Sequence, residues 1–322
     1  MVNSIFSFIK NWTLPIAMGI GTLAYLLFAY TPQLEGAADF FAPVFDTILP
    51  LFMFLILFVT FCKIDFRKLR PVIWHWWLGA VQVLFVGVMM VVALLFGFQG
   101  DNLILAEALL TIVICPTAAA AAVVTQKLGG SLEQMTTYTF LSNFITAMLI
   151  PVCFPVLEKS AQVTFAAAFM KISYGVCTVL LVPMLLAYIV KHYMHRLHRQ
   201  IVSIRDLGYY MWACSLMIVT GTTVKNICHS DSSVLFLLLI AFASLVVCIV
   251  QFAVGRHIGR LFGHRVEAGQ GLGQKNTAFA IWVAHAYLNP LSSVGPGCYI
   301  LWQNIINSVE IWKYTKKQES KD

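Results

Sequence analysis

Apolar runs of about twenty residues recur from one end of this sequence to the other, and that recurrence restricts the fold more than any motif does. A run such as "VLFLLLIAFASLVVCIVQFAV" (234–254) carries no charge and no turn signal. A helix needs about 20 such residues to cross the hydrocarbon core of a bilayer. Ten spans can be placed, at 13–30, 39–61, 71–97, 103–126, 132–155, 163–190, 207–227, 233–254, 269–288 and 291–312. Only 11% of the residues are charged, against about 25% in soluble domains. The runs do not alternate with period two, as barrel strands do, so an all-α integral membrane protein is expected. Residues 1–322 then form a single membrane domain. The first span is longer than the apolar part of a secretory signal, and no A-x-A-like site follows it.

The formal charge of +7 follows topology rather than any nucleic-acid partner. The even-numbered connections and both tails hold Lys10, Lys63, Arg67, Lys68, Arg70, Lys127, Lys191, Arg196, Arg199, Arg205, Arg256, Arg260, Arg265, Lys313, Lys316, Lys317 and Lys321, which are 17 of the 21 basic residues. The other side holds Lys159, Lys225 and Lys171, with Glu35, Asp39, Asp101 and Glu158. The positive-inside rule puts both termini in the cytoplasm of a multi-pass protein of the inner cell membrane, and favours an even number of spans. The eight cysteines lie in or near spans without a C-x-x-C pair and read as packing residues.

Cut in the middle, the chain has five spans in each half. An odd number makes the second half enter from the opposite side, an inverted repeat of the kind that builds secondary transporters. Both halves carry an interruption. The fourth span contains "CPTAAAAAVV" (115–124), where Pro116 removes a donor and disfavours helix before it. The ninth contains "GQGLGQKN" (269–276), with glycines at 269, 271 and 273. The spans that follow carry polar stripes: Thr139, Ser142, Asn143 and Thr146 in one, and Asn304, Asn307 and Ser308 in the other, each at helical spacing. Small polar residues also serve plain helix packing. Broken helices, however, are tolerated at membrane depth only where protein or a watery cavity meets the freed backbone groups, so the paired breaks point to a binding site near the midplane. Helix halves that resume after Pro116 and Gly273 offer N–H groups to an anion.

At these residues the chain resembles the bile acid:sodium symporter family. "DFRKLRPVIWHWWLGAVQVLF" (65–85), with Gln82, looks like that family's basic loop and third span. "CPTAAAAAVV" is similar to its Cys-x-Pro-Gly-Gly-x-x-Ser-Asn crossover, and "TFLSNFITAMLIP" (139–151) to its fifth-span hydroxyl motif. "GQKNTAFA" (273–280) is similar to its second crossover, and "WQN" (302–304) to its last-span Trp-His-Asn. The resemblance implies ten transmembrane helices in two inverted five-helix repeats, with discontinuous helices four and nine crossing at the site. It further implies a panel domain (13–62 and 163–227) and a core domain (71–155 and 232–312).

Carried over residue by residue, the ion-site equivalents are Gln82, Ala121, Ala122, Thr139, Asn143, Gly271 and Lys275, and the substrate-binding residues are Thr117, Ala118, Lys275, Asn276, Thr277 and Asn304. Several depart from the family. The Ser-Asn pair falls on Ala121 and Ala122, the glutamate on Gly271 and a glutamine on Lys275. Glu267 lies too far upstream to align with that glutamate without a gap. Sodium takes hard oxygen ligands, and these positions no longer supply them. A charge near the bilayer centre costs on the order of 3 kcal/mol, yet Lys275 runs straight into "NTAFAIWVA". A snorkelling lysine is the plain reading. The sharper expectation is that the ammonium stands where relatives hold sodium, kept by Asn143, Thr139, Gln82 and backbone carbonyls, or that it meets the substrate anion itself. No metal or other cofactor is expected, and a proton released by the lysine is a candidate coupling ion. His285 and Glu310 read as structural or interfacial.

The function expected is secondary transport of a small or amphipathic organic anion by alternating access, with a non-transporting receptor on the same fold as the alternative. A retinal photoreceptor would want about seven spans and an acidic counter-ion. No H-E-x-x-H, G-x-S-x-G or paired aspartates suggest an enzyme.

Overall fold

A computed structural model describes residues 13–31, 35–157, 164–204, 207–230 and 232–320. Lys10, Glu158, Lys159, Arg205 and Lys321, which contribute to the charge bias, lie outside the described residues. The described chain is helical: α1 (Thr13–Tyr30), α2 (Glu35–Cys62), α3 (Ile73–Leu95), α4 (Gly100–Ile114), α5 (Ala120–Lys127), α6 (Leu132–Leu157), α7 (Phe165–Leu180), α8 (Val182–Tyr193), α9 (His195–Ser203), α10 (Leu207–Cys228), α11 (Val234–Leu261), α12 (Arg265–Gly273), α13 (Thr277–Tyr287) and α14 (Val294–Glu319). Among the described residues, Ile73–Leu95, Leu132–Leu157, the run Phe165–Tyr193 and Val234–Leu261 are each long and apolar enough to cross a membrane. Along α3, Leu84, Val88, Val91 and Leu95 are exposed at helical spacing, as are Leu235, Leu238, Phe242, Val246 and Ile249 along α11. Stripes of that size suit lipid rather than water.

Two units divide the chain. One comprises the described residues of 1–63 and 182–231, the other those of 64–181 and 232–322. In the first, α10 packs on α1 at Gly21, where a Cβ would run into the Met217 carbonyl. His198 of α9 bonds the Cys62 carbonyl at the end of α2 (2.8 Å).

The second unit holds both interruptions. Helix α4 stops at Ile114 because Pro116 forces Cys115 into an extended conformation (φ −66°, ψ 151°). Helix α12 stops at Gly273, with Gln274 extended (φ −94°, ψ 98°). Each resumes after a short gap, as α5 and α13. Glycine lets α11 and α12 touch. At Gly255 an added Cβ would strike the Ala268 carbonyl, and at Gly259, one turn on, the His264 carbonyl. A core of Trp74, Leu78, Ala121, Met135, Tyr138, Ala268 and Leu272 joins α3, α5, α6 and α12. A second of Ile112, Cys248, Phe252 and Tyr299 joins α4, α11 and α14.

The glycine contact gives a direct test. Gly255→Leu should lower the thermal midpoint of the detergent-solubilised protein by the equivalent of about 1–3 kcal/mol. Gly87→Leu, where nothing lies within 4 Å, should leave it unchanged. Equal midpoints for the two variants would contradict this packing.

Candidate functional site: a crossover of two broken helices

The ends of α4 and α12 leave main-chain groups that their own helices cannot satisfy. These are met by exchange between the two breaks. Thr117 and Lys275 form an antiparallel bridge. Ala118 N donates to the Gln274 carbonyl (2.9 Å), and Asn276 N donates to the Pro116 carbonyl (2.8 Å). Side chains repeat the exchange. The Thr117 hydroxyl donates to the Gly271 carbonyl of α12 (2.6 Å). The Lys275 ammonium donates to the carbonyls of Val113 and Cys115 at the end of α4 (3.0 Å each). The helices after the breaks then hold each bridge residue. Thr117 N donates to Ser142 Oγ, and Lys275 N to Gln303 Oε1, both at 2.9 Å.

These contacts have a register. Pro116 and Gln274, Thr117 and Lys275, Ala118 and Asn276, and Val113 and Gly271 are all 158 positions apart. On α6 and α14 the matched residues are 161 apart: Tyr138 and Tyr299, Ser142 and Gln303, Thr146 and Asn307. The tyrosines each meet a buried glutamine. Tyr138 OH donates to Gln82 Oε1 (3.5 Å), and Gln251 Nε2 donates to Tyr299 OH (3.1 Å), which itself donates to the Gly273 carbonyl (2.6 Å). The bridge pair itself does not match in charge: one half brings a hydroxyl, the other an ammonium.

Lys275 is 1% exposed. Of the holders expected for its ammonium, the backbone carbonyls bond it, at Val113 and Cys115. Gln82 Nε2 shares that task indirectly, donating to the carbonyls of Ile114 (3.1 Å) and Cys115 (3.4 Å). Thr146 also donates to Ile114 (2.8 Å), while Thr139 turns back on Met135 (3.0 Å). Thr139, Ser142, Asn143 and Thr146 are all buried, so the stripe on α6 faces inward. The stripe on α14 is rotated from the one read in sequence. Gln303 and Asn307 are buried, Ser308 is exposed, and half-buried Asn304 donates to its own helix at Ile300 (2.6 Å). Gln303 went unassigned in sequence, although it lies four residues before Asn307 and so on its face.

Asn276 is half-buried and caps α13, its side chain accepting from Phe279 N (3.3 Å). Thr277 is buried and Ala118 half-buried. Ala121 lies in the apolar core, with Ala122 packed against it. At Gly271 an added Cβ would stand 2.8 Å from Tyr138 Cδ1 and 2.9 Å from Leu78 Cδ2, so those two side chains fill the space. Glu310 pairs with Arg256 (2.6 Å) and accepts from Gln270 (3.0 Å). His285 is half-buried.

Long apolar helices and a buried, polar, interrupted pair are the architecture of a multi-pass membrane protein. A model of the sodium bile acid symporter family matches residues 50–230, and the chain belongs to that family, one of transporters rather than enzymes. The match includes the first break and ends before the second. No curated protein matches the chain.

Restoring a carboxylate at position 271 should fail on steric grounds. Gly271→Glu is expected to cost about 1–3 kcal/mol of stability and to leave the melting curve insensitive to sodium. A stable Gly271→Glu protein whose midpoint rises with sodium would contradict the packing described here.

Proposed function

We propose that the protein carries a small or amphipathic organic anion across the membrane by alternating access, and that Lys275 takes the place of a sodium ion. The observation that carries this reading is the buried Lys275 ammonium on the carbonyls of Val113 and Cys115. Positions 121, 122 and 271, where the family resemblance implies oxygen ligands, offer apolar packing instead. A cation tethered to the chain neutralises the negative end of the α4 dipole and needs no gradient to bring it there.

The reading includes ten spans in two inverted repeats. The constant 158-residue register at the crossover supports it, because an inverted pair of equal units exchanges equivalent contacts. The panel and core domains implied by the family resemblance belong to the same proposal. The anion would bind beside the crossover. Helix α5 starts without a side-chain cap, so its first N–H groups suit an anion. The side-chain oxygen of Asn276 is committed to α13, which leaves its NH₂ as a donor. Thr117, Ala118, Thr277 and Asn304 complete the proposed lining.

An ammonium has three N–H donors, and two of them hold carbonyls. A neutral amine keeps two donors, enough for both bonds, so a proton can leave Lys275 without opening the crossover. Proton coupling and uniport are therefore the two modes that fit, and sodium symport does not.

Thermal stabilisation across an organic-anion library identifies a ligand. Its uptake into proteoliposomes under separate sodium and proton gradients then tests the mode. Uptake should be indifferent to sodium. Strong sodium dependence would refute the reading, and binding without counterflow would identify a receptor instead. Lys275→Thr copies Thr117 and should fold while losing transport at least tenfold; full activity would make the charge incidental. Asn276→Ala should weaken binding about tenfold, or ~1.4 kcal/mol, and more than Asn304→Ala does.

A further inference from the structure

We propose that Glu107 and Glu267 are a matched pair of bolts that hold the two broken helices as one body, so that the crossover survives the motion of transport. Neither glutamate is part of the crossover. Glu107 sits in α4 and Glu267 in the first turn of α12, each eight residues before a residue of the break, Cys115 and Lys275 respectively. Both are buried, at 0% and 7% exposure.

Their partners are main-chain N–H groups in the opposite half. Glu267 Oε1 accepts from Ser131 N (2.9 Å), in the turn between α5 and α6. Glu107 Oε2 accepts from Asn289 N (3.2 Å), in the turn that leaves α13. Both turn residues also cap the next helical turn: Ser131 Oγ accepts from Gln134 N (3.2 Å), and Asn289 Oδ1 accepts from Leu291 N (2.9 Å). Glu107 and Glu267 are 160 positions apart, and Ser131 and Asn289 are 158 apart. The two contacts are therefore one contact made twice, with the halves exchanged.

Close packing at both turns accompanies them. A Cβ at Gly130 would stand 3.2 Å from the carboxyl carbon of Glu267 and 2.7 Å from Thr125 Cγ2. A Cβ at Gly295 would stand 2.8 Å from that of Ala108, the neighbour of Glu107.

The mechanical consequence comes from where each bolt attaches. A helix interrupted by several extended residues bends at the interruption. Each bolt ties the first half of one broken helix to the turn that ends the resumed half of the other, so neither α5 nor α13 can swing about its break. The main-chain hydrogen bonds of the exchange and the Lys275 contacts then keep their geometry. A carboxyl buried in a membrane protein is costly; each of these has a main-chain partner at the facing turn, and Glu267 Oε1 also lies 3.6 Å from His264 Nδ1. The bolts are a matter of geometry; only their link to turnover rests on the transport reading.

The test is amide hydrogen exchange on the purified full chain, beside ligand uptake. Glu267→Met should speed exchange in the segment containing Ser131 at least tenfold, and Glu107→Met should do so in the segment containing Asn289, each variant affecting only its own turn. The uptake rate should fall about tenfold in both. Glu107→Gln and Glu267→Gln keep an acceptor oxygen and should stay within twofold of the unaltered protein in both readouts. Unchanged exchange in the Met variants would overturn the proposal. So would Gln variants as impaired as the Met variants, because the charge and not the bond would then matter. If a Met variant does not fold, Gly130→Ala, which crowds the Glu267 carboxyl, serves instead. Faster exchange at Ser131 supports the bolt, and unchanged exchange overturns it. Because exchange is read without ligand, its outcome stands whether or not the carrier reading holds.

Discussion

A main-chain group left without a partner inside a bilayer costs several kcal/mol, and two interrupted helices expose such groups. The rest of the second unit depends on how that cost is removed. Each break hands its main-chain donors and acceptors to the other, through Ala118 and Gln274 on one side and Asn276 and Pro116 on the other. The last carbonyls of α12 then go to Thr117 and Tyr299, and those of α4 to Lys275, Thr146 and Gln82. Glycines at 255 and 259 bring α11 close enough to seat α12, and the buried stripes on α6 and α14 supply the remaining acceptors.

Lys275 serves two needs at once. It is a cap for α4, which a neutral donor could also be, as Thr117 shows on the other side. In the proposed carrier reading it is also a fixed positive charge, where the family resemblance implies a mobile sodium ion. The cost of burying it, on the order of 3 kcal/mol, is of the same size as one or two charge-assisted hydrogen bonds, at about 1.5–3 kcal/mol each. The changes around it are consistent with one another. With Tyr138 and Leu78 filling the space at Gly271 and alanines at 121 and 122 in the apolar core, no carboxylate or amide at those positions competes for the ammonium.

Much of this was legible in the sequence because it depends on residue type. Proline at 116 and three glycines in 269–273 mark breaks by backbone chemistry, and a lone lysine before an apolar run marks a buried charge. The rest depends on rotation and on distance along the chain. Gln303 and Asn304 are one residue apart, a turn of about 100° on a helix, and only packing decides which one faces inward. Pro116 and Gly271 are 155 positions apart, three short of the 158 set by the hydrogen bonds, because the glycines mark the end of α12 rather than the bridge. Glu107 gave no signal, since its partner is a main-chain N–H 182 positions away. Asn143 is buried as its place in the polar stripe suggested, and Gln82, singled out by the family resemblance, is buried as well; the ammonium is held by main-chain carbonyls, which every residue has.

That the positive charge of the crossover belongs to the chain is tested most directly by calorimetric binding of one identified anion to the purified protein in sodium and in choline buffers, beside Lys275→Gln in the same pair. The unaltered protein should bind equally well in both buffers, and Lys275→Gln should lose affinity in both. Affinity that rises steeply with sodium in the unaltered protein, or that survives in Lys275→Gln, would contradict it.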